Sequence, residues 1–457
     1  MTTPTTRPAD ASARSGSLER WLRERGCSEV ECIIPDFSGV ARGKIMPASK
    51  FWQEERLRLP EGVFVQTVTG DYPDEDTTDP TEPDMLLRPD VGTIRIVPWA
   101  SEPTAQVIHD CCYNDGREVD LAPRTVLKRV LELYDRRGWK PIVAPELEFF
   151  LVEKNIDPDF PLKPPIGRSG RPETARQAYG IDAVNEFDPL FEDIYDYCEA
   201  QELDIDTLIH ESGAAQMEIN FLHGDPLELA DQAFLFKRTC REAAYRHNIY
   251  ATFMAKPLKD EPGSAMHIHQ SVVDKATGQN IFATADGKLT DLFLSHIAGL
   301  QKYIPHAMAF FAPNVNSYRR IARGDFAPIN VEWGYDNRTV GLRVPVSDRE
   351  GTRIENRVAG ADVNPYLAIA LSLACGYLGM VEGLRAGAPV TGSGYKLGYQ
   401  LSRNLEDALT LLEACQPLRE IIGERFSRSF AAVKHKEYET FFHVISSWER
   451  EFLLLNV

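Results

Sequence analysis

The chain has 457 residues, with 68 acidic against 50 basic side chains and a formal charge of −18. Apolar residues at 43% and charged residues at 26% are ordinary globular proportions, which excludes a disordered, collagenous or disulfide-stapled chain and leaves room for two or three domains. The negative balance argues against a nucleic-acid binder, which needs a basic face, and favours a surface that concentrates small cations.

Residues 1–16 carry no apolar run, so they read as a flexible tail rather than a secretory leader. Leu18, Trp21 and Leu22 mark one face of a short helix over Ser17–Arg25. Glu29–Pro35 and Val40–Met46 read as strands about an Asp-Phe-Ser-Gly turn. Asp71–Asp84 holds seven acids in fourteen residues, the composition of a solvated loop. Strands at Thr93–Val97 and Gln106–Cys111 complete a small β-rich module. Pro123 then opens a helix over Thr125–Arg137, so an N-terminal domain is expected at 17–119 and a larger one at 120–457.

The second region mixes strands (Pro141–Val152, Gln216–Leu222, Tyr250–Lys256, Ala265–Val272) with helices (Phe187–Gln201, Leu227–Arg246, Leu289–Phe311, and most of the chain from Leu405). Pro161–Gln177, rich in Pro, Gly and Arg, reads as a long loop. The uncharged run Tyr366–Val381 falls short of the roughly 20 residues of a membrane span. Asn364 and Pro365 supply its N-cap and first-turn proline, so it reads as the buried helix of a soluble core. The fold class is α+β. Eight cysteines form no CxxC pair and read as free thiols in a reducing cytosol.

Neither a Walker A loop nor a dinucleotide fingerprint is present. What recurs is a pair of polar residues two apart in an apolar strand: Glu146 with Glu148, His267 with His269, and Glu355 with Arg357. Alternate residues of a strand share a face. Any one pair is the wet face of a half-buried strand. Converged, with Glu211 and Glu218, these groups form an oxygen-rich site with imidazole, suited to Mg²⁺ or Mn²⁺. Two such ions clamp phosphates during in-line transfer. Arginines cluster later, at Arg319, Arg320, Arg338, Arg343, Arg353 and Arg357. Arg343 lies inside the apolar run Val340–Val346, where an unpaired charge is costly, so an anionic partner is expected beside it.

Asp36-Phe-Ser-Gly-Val-Ala-Arg-Gly-Lys44, Pro145-Glu-Leu-Glu-Phe-Phe150, Thr252-Phe-Met-Ala-Lys-Pro257, Gly263-Ser-Ala-Met-His-Ile-His269, Asn314-Val-Asn-Ser-Tyr-Arg319 and Asn364-Pro-Tyr366 together resemble the glutamine synthetase family, from about residue 20 to the end. The resemblance implies a small N-terminal β-grasp domain before a catalytic domain built on a curved antiparallel sheet flanked by helices. It implies Glu148, Glu211 and Glu218 as ligands of one metal and Glu146, His267 and Glu355 of a second. It implies Arg320, Arg357 and the Gly263 backbone for glutamate, Arg338 and Arg343 for the transferring phosphate, and His269, Ser271 and Arg353 for the nucleotide.

The implied reaction is ATP-dependent phosphorylation of the glutamate γ-carboxylate, followed by attack of an amine. Two acidic residues that trap ammonium in the family fall here on Gln66 and Phe326, which removes that trap and leaves room for an alkylamine. The chain thus resembles the γ-glutamylpolyamine (γ-glutamylputrescine) synthetase branch, with a cytoplasmic role in polyamine utilisation. A ligase for monoamines or ethanolamine, a true glutamine synthetase and an inactive structural relative are the alternatives. The amine arrives protonated, and Glu211 and Asp325 are the candidate bases. The family's two stacked rings of six imply a homododecamer in which Gln66 acts on a neighbour's site.

Overall fold

The structure is a computed structural model that describes residues 11–51, 57–74, 81–322 and 327–457, with side chains from Leu18 onward. Asp325, Phe326 and part of the acidic stretch, Glu75, Asp76 and Asp79 among it, lie outside the described residues.

Helix α1 (Ala11–Glu24) starts inside the segment expected to be a tail. After it come β1 (Glu29–Pro35), β2 (Ala41–Pro47), α2 (Ala48–Phe51), β3 (Arg58–Pro60), β4 (Asp84–Pro89), β5 (Arg95–Ile96) and β6 (Thr104–Cys112). They form one sheet in the order β2-β1-β6-β4-β3, with β5 also on β6. β1 and β6 run parallel and the other pairs antiparallel. Val40 belongs to the β1–β2 turn rather than to a strand. There the Asp36 carboxylate accepts from the Ser38 and Val40 amides at 2.9 Å each and pairs with Arg42 at 2.8 Å. Gly39, at φ +75°, supplies the left-handed residue of that turn. The strand expected at Thr93–Val97 shrinks to β5, because Asp90 caps a 3₁₀ turn over Val91–Thr93 instead.

The second region runs α3 (Pro123–Asp135), β7 (Trp139–Glu153), α4 (Ile181–Asn185), α5 (Asp188–Ala200), β8 (Ile205–His210), β9 (Gln216–Phe221), α6 (Pro226–Arg246), β10 (Ile249–Thr252), β11 (Met266–Asp274), α7 (Asp291–Phe311), β12 (Trp333–Tyr335), β13 (Leu342–Val344), β14 (Ile354–Asn356) and α8 (Pro365–Glu382). Helices α9 (Leu405–Ala414), α10 (Gln416–Ile422), α11 (Glu424–Phe442) and α12 (Ser447–Phe452) complete it. The sheet order is β12-β13-β14-β11-β7-β9-β8, with β10 on β7. Only β12–β13 is parallel among these pairs. The strand expected over Tyr250–Lys256 ends at Thr252, where the Thr252 hydroxyl accepts from the Met254 amide at 3.2 Å and turns the chain.

Helix α8 is long and apolar enough to cross a membrane by composition, yet it is mostly buried inside the protein. The Asn364 side chain caps it by accepting from the Tyr366 and Leu367 amides, and Gly383 ends it in the left-handed conformation. It packs on α7 at Gly299 and Gly379. A Cβ at Gly379 would meet Ser295 O at 2.1 Å, so the contact demands glycine. The two sheets are tied by Arg124 of α3. Its guanidinium reaches Asp90 beyond β4 and Asp110 of β6 at 2.6 Å each, and grips Asp231 of α6 with two bonds of 2.9 and 3.0 Å.

Candidate active site

Strand register builds the site. β7 places Glu146 opposite His267 of β11 and Asn220 of β9, and Glu148 opposite Glu218. β14 lays Glu355 between His269 of β11 and Arg343 of β13. Opposed residues of an antiparallel pair share a face, as do alternate residues of a strand. Five strands therefore project acids, imidazoles and an arginine to one side. They meet in a cavity of about 600 Å³ lined by Glu146, Glu148, Glu211, Glu218, Gly263, His267, His269, Arg320, Arg338, Arg343, Arg353 and Arg357, among others.

One group of carboxylates is Glu148, Glu211 and Glu218, whose ligand atoms lie within 4.8 Å of one another. Burial and the Glu211 charge push the Glu148 carboxyl up to about 8. Burial, with its acidic neighbours, raises Glu218 well above the usual carboxylate range. Like charges crowded out of water are costly, and a divalent cation supplies the counter-charge they lack. Glu146 forms two further groups, one with Glu218 and His267 and one with His269 and Glu355. The expected second set, Glu146, His267 and Glu355, is thus bridged through Glu218 on one side and His269 on the other. His267 Nδ1 stands 3.4 Å from Glu146 Oε2 and 3.8 Å from Glu355 Oε1. It is nonetheless buried without a hydrogen-bond partner among the described residues, as is Asn220 Oδ1. Orphaned acceptors beside crowded carboxylates fit a hard divalent cation.

His269 is oriented from both ends. It accepts from Arg353 Nε at Nδ1, 3.1 Å away, so its hydrogen is on Nε2, which faces Glu146 Oε1 at 2.8 Å. Although burial opposes it, His267 and His269 hold the Glu146 carboxyl well below the usual range. Glu355 is fully buried beneath the cavity and accepts from Arg357 Nη1 and, at 2.7 Å, from Arg343 Nη1. Against burial, Arg357 and His267 bring its pKa down to about 2. Glu355, with Asp336 at 3.3 Å, is the anionic partner that the apolar setting of Arg343 required. Burial brings Arg320 down to about 10, and its Nη atoms donate to Val358 O and Arg357 O at 2.8 and 3.0 Å.

Gly263 approaches Arg320 so closely that a Cβ would meet Arg320 Cγ at 2.5 Å and Ala255 O at 2.7 Å. Ser271 follows on the same face of β11 but does not line the cavity. Gln66 lies elsewhere in this chain, after a 3₁₀ turn over Glu61–Val65, donating to Gly70 O at 3.1 Å. Phe326 falls outside the described residues.

Two lining residues carry no signal in the sequence. Tyr179 ends the long loop at φ +62°, exposed, its amide donating to His210 O at 2.9 Å. Gln216 donates to Glu148 Oε2 at 3.2 Å and to Gly263 O at 3.1 Å, joining the carboxylate group to the glycine loop. Only a family alignment or the fold itself reveals them.

A model described as glutamine synthetase, catalytic domain, matches residues 120–453. The chain is 36% identical to gamma-glutamylputrescine synthetase PuuA of Escherichia coli (strain K12), over 97% of this chain and 96% of that one. It is 32% identical to the glutamate–isopropylamine ligase of a Pseudomonas species, over 94% of this chain and 95% of that one. A solved structure titled apo GmaS without ligand superposes with a TM-score of 0.82 at 27% identity, covering 96% of this chain and 99% of that one. On the match of domain, relatives and architecture, the chain belongs to the glutamine synthetase family.

Proposed function

We propose that the protein joins the γ-carboxylate of L-glutamate to a polyamine such as putrescine or spermidine, using ATP and passing through γ-glutamyl phosphate, in polyamine utilisation. The observation that carries this reading is the convergence, around one cavity, of one all-carboxylate group and two carboxylate–imidazole groups with five arginines. Glu148, Glu211 and Glu218 hold one Mg²⁺ or Mn²⁺, and Glu146, His267 and Glu355 hold a second. When bound, these ions neutralise charge on the phosphoryl and carboxylate oxygens. Arg338 and Arg343 stabilise the transferring phosphoryl group, which is planar and anionic and matches a guanidinium fork. His269, Ser271 and Arg353 orient the nucleotide. Arg320, Arg357 and the Gly263 backbone hold glutamate. The amine, with an ordinary pKa of about 10.4, must lose a proton before it attacks. Glu211, on the cavity wall beside Ser212, is the base this reading takes.

Gln66 and Phe326 stand where an ammonium pocket needs carboxylates, and the putrescine-named relative supports a diamine. The isopropylamine-named relative favours one second reading, a monoamine ligase. Gln66 lies away from this chain's own cavity, and the C-terminal end presents Phe442, Trp448, Leu454 and Leu455 to solvent at 59–90% exposure. Both features support self-assembly, and the reading adopts a cytoplasmic homododecamer of two hexameric rings, with Gln66 completing a neighbour's site, from the family resemblance.

The test is phosphate release from ATP with Mg²⁺, glutamate and a panel of ammonia, putrescine, spermidine, ethanolamine and isopropylamine. Putrescine or spermidine is expected to give the highest kcat/KM. Isopropylamine or ethanolamine leading the panel would move the protein to the monoamine reading, and ammonia leading it would overturn both.

A further inference from the structure

Behind the cavity wall lies a buried carboxyl–imidazole pair that none of the chemistry above uses. Glu173, on the long loop before α4, points its Oε2 at His210 Nε2, 3.0 Å away, and the two side chains are 6% and 0% exposed. The same oxygen accepts from the Ala215 amide at 2.8 Å. The other ring nitrogen, His210 Nδ1, donates to Glu211 O at 2.6 Å. Each ring nitrogen thus faces an oxygen within hydrogen-bond distance, and the imidazole is held from both sides. The Tyr179 amide donates to His210 O at 2.9 Å, and Gln177 Nε2 donates to Glu173 Oε1 at 3.2 Å. The circuit closes on a strained segment, since Ala215 sits at φ +55°, a conformation costly for a residue with a Cβ.

We propose that Glu173, acting through His210 and the Ala215 amide, is a positioning residue that holds Glu211 and Tyr179 at the cavity wall. Without the Glu173 side chain, His210 Nε2 loses its partner oxygen and the Ala215 amide its acceptor. The 211–215 turn then relaxes, and the Glu211 side chain leaves the position it shares with Glu148 and Glu218. Residues that orient a metal ligand in this way change metal affinity by roughly 10–100-fold when removed. The inference rests on the reading of Glu211 as a metal ligand, and the experiment separates the two.

Mn²⁺ binding is measured by electron paramagnetic resonance on the full-length protein without substrates, well below its melting temperature. The proteins are wild type, Glu211→Gln, Glu173→Ala and Glu173→Asp. Amide hydrogen exchange is followed over residues 211–215 in the metal-free state. Glu173→Ala is expected to weaken one class of Mn²⁺ site roughly 10–100-fold and to speed exchange at Ala215. Glu173→Asp, which keeps the carboxylate one methylene short, falls between it and wild type and carries the test if Glu173→Ala does not fold. A lower melting temperature with unchanged Mn²⁺ affinity in the folded Glu173 variants would overturn the proposal, because that is a purely structural role. Unchanged affinity in Glu211→Gln would instead overturn the ligand reading on which it rests.

Discussion

Replacing Arg124 by methionine probes the joint between the two sheets. The perturbation removes one guanidinium and leaves three carboxylates that had faced it. They do not suffer alike. Asp90 is about a third exposed and returns to water, so its loss is within about 1 kcal/mol. Asp110 keeps Lys128 at 2.7 Å. Asp231 is the exposed liability of the variant, because its side chain is 10% accessible and retains only the Tyr366 hydroxyl at 2.6 Å among its present partners. Stripping one partner from a buried pair costs about 3–5 kcal/mol, and the remaining hydroxyl bond places the loss near the lower end, at about 3 kcal/mol. Arg124→Met combined with Asp231→Asn removes the stranded charge while keeping an oxygen for Tyr366, and should recover about 2 kcal/mol of that loss. The assay is equilibrium denaturation in guanidinium at one fixed protein concentration, since the proposed assembly would make stability depend on it. A single variant within 1 kcal/mol of wild type, or a double variant no more stable than the single one, would refute the reasoning.

Three other outcomes follow from the site and the core. Glu148→Gln relieves crowding with Glu211 and Glu218, so the metal-free variant should melt above metal-free wild type while gaining less from Mn²⁺; differential scanning calorimetry with and without Mn²⁺ checks both, and a variant that melts lower without metal contradicts the crowding. Gly263→Ala drives a methyl into Arg320 Cγ, so the glutamate KM should rise roughly tenfold or more with a smaller change in the ATP KM; equal changes in steady-state kinetics would deny Gly263 its place beside glutamate. Burial brings His109 down to about 4 from an ordinary 6.5. The unfolded chain then binds a proton that the folded chain refuses between those values, so stability falls as the pH drops through that window, by about 2 kcal/mol from pH 7 to pH 5 at this one residue. His109→Gln should flatten that part of the pH–melting profile, and an unaltered profile would place the acid sensitivity elsewhere.

Much of the site was readable because β-strands write their face in steps of two. Glu146 with Glu148 and His267 with His269 announced a polar face in apolar strands, and the register of β7 on β11 and β9 brings them together. Arg343 announced a partner by its apolar neighbours, and Glu355 is that partner. Helix α8 was readable from its cap, its proline and its unbroken apolar run. Other features had no local signature. Tyr179 reaches the cavity from a loop whose path depends on His210, thirty-one residues later in the chain. Glu173 resembles any loop acid until the fold buries it against that histidine. Strand ends moved where a side chain captured a backbone amide, as Asp90 does before β5 and Thr252 does after β10.

The groups proposed to handle phosphate and metal stand mainly on paired strands, whereas Tyr179 and Ser212 belong to loops. A single-residue insertion within β7 or β11 would turn a whole row of acids or imidazoles toward the opposite side and silence activation of glutamate altogether. Insertions in the stretches around Tyr179 and Ser212 leave that machinery in register. Acceptance of new nucleophiles is thereby uncoupled from the making of the activated acid, and engineered changes of acceptor belong in those connecting segments.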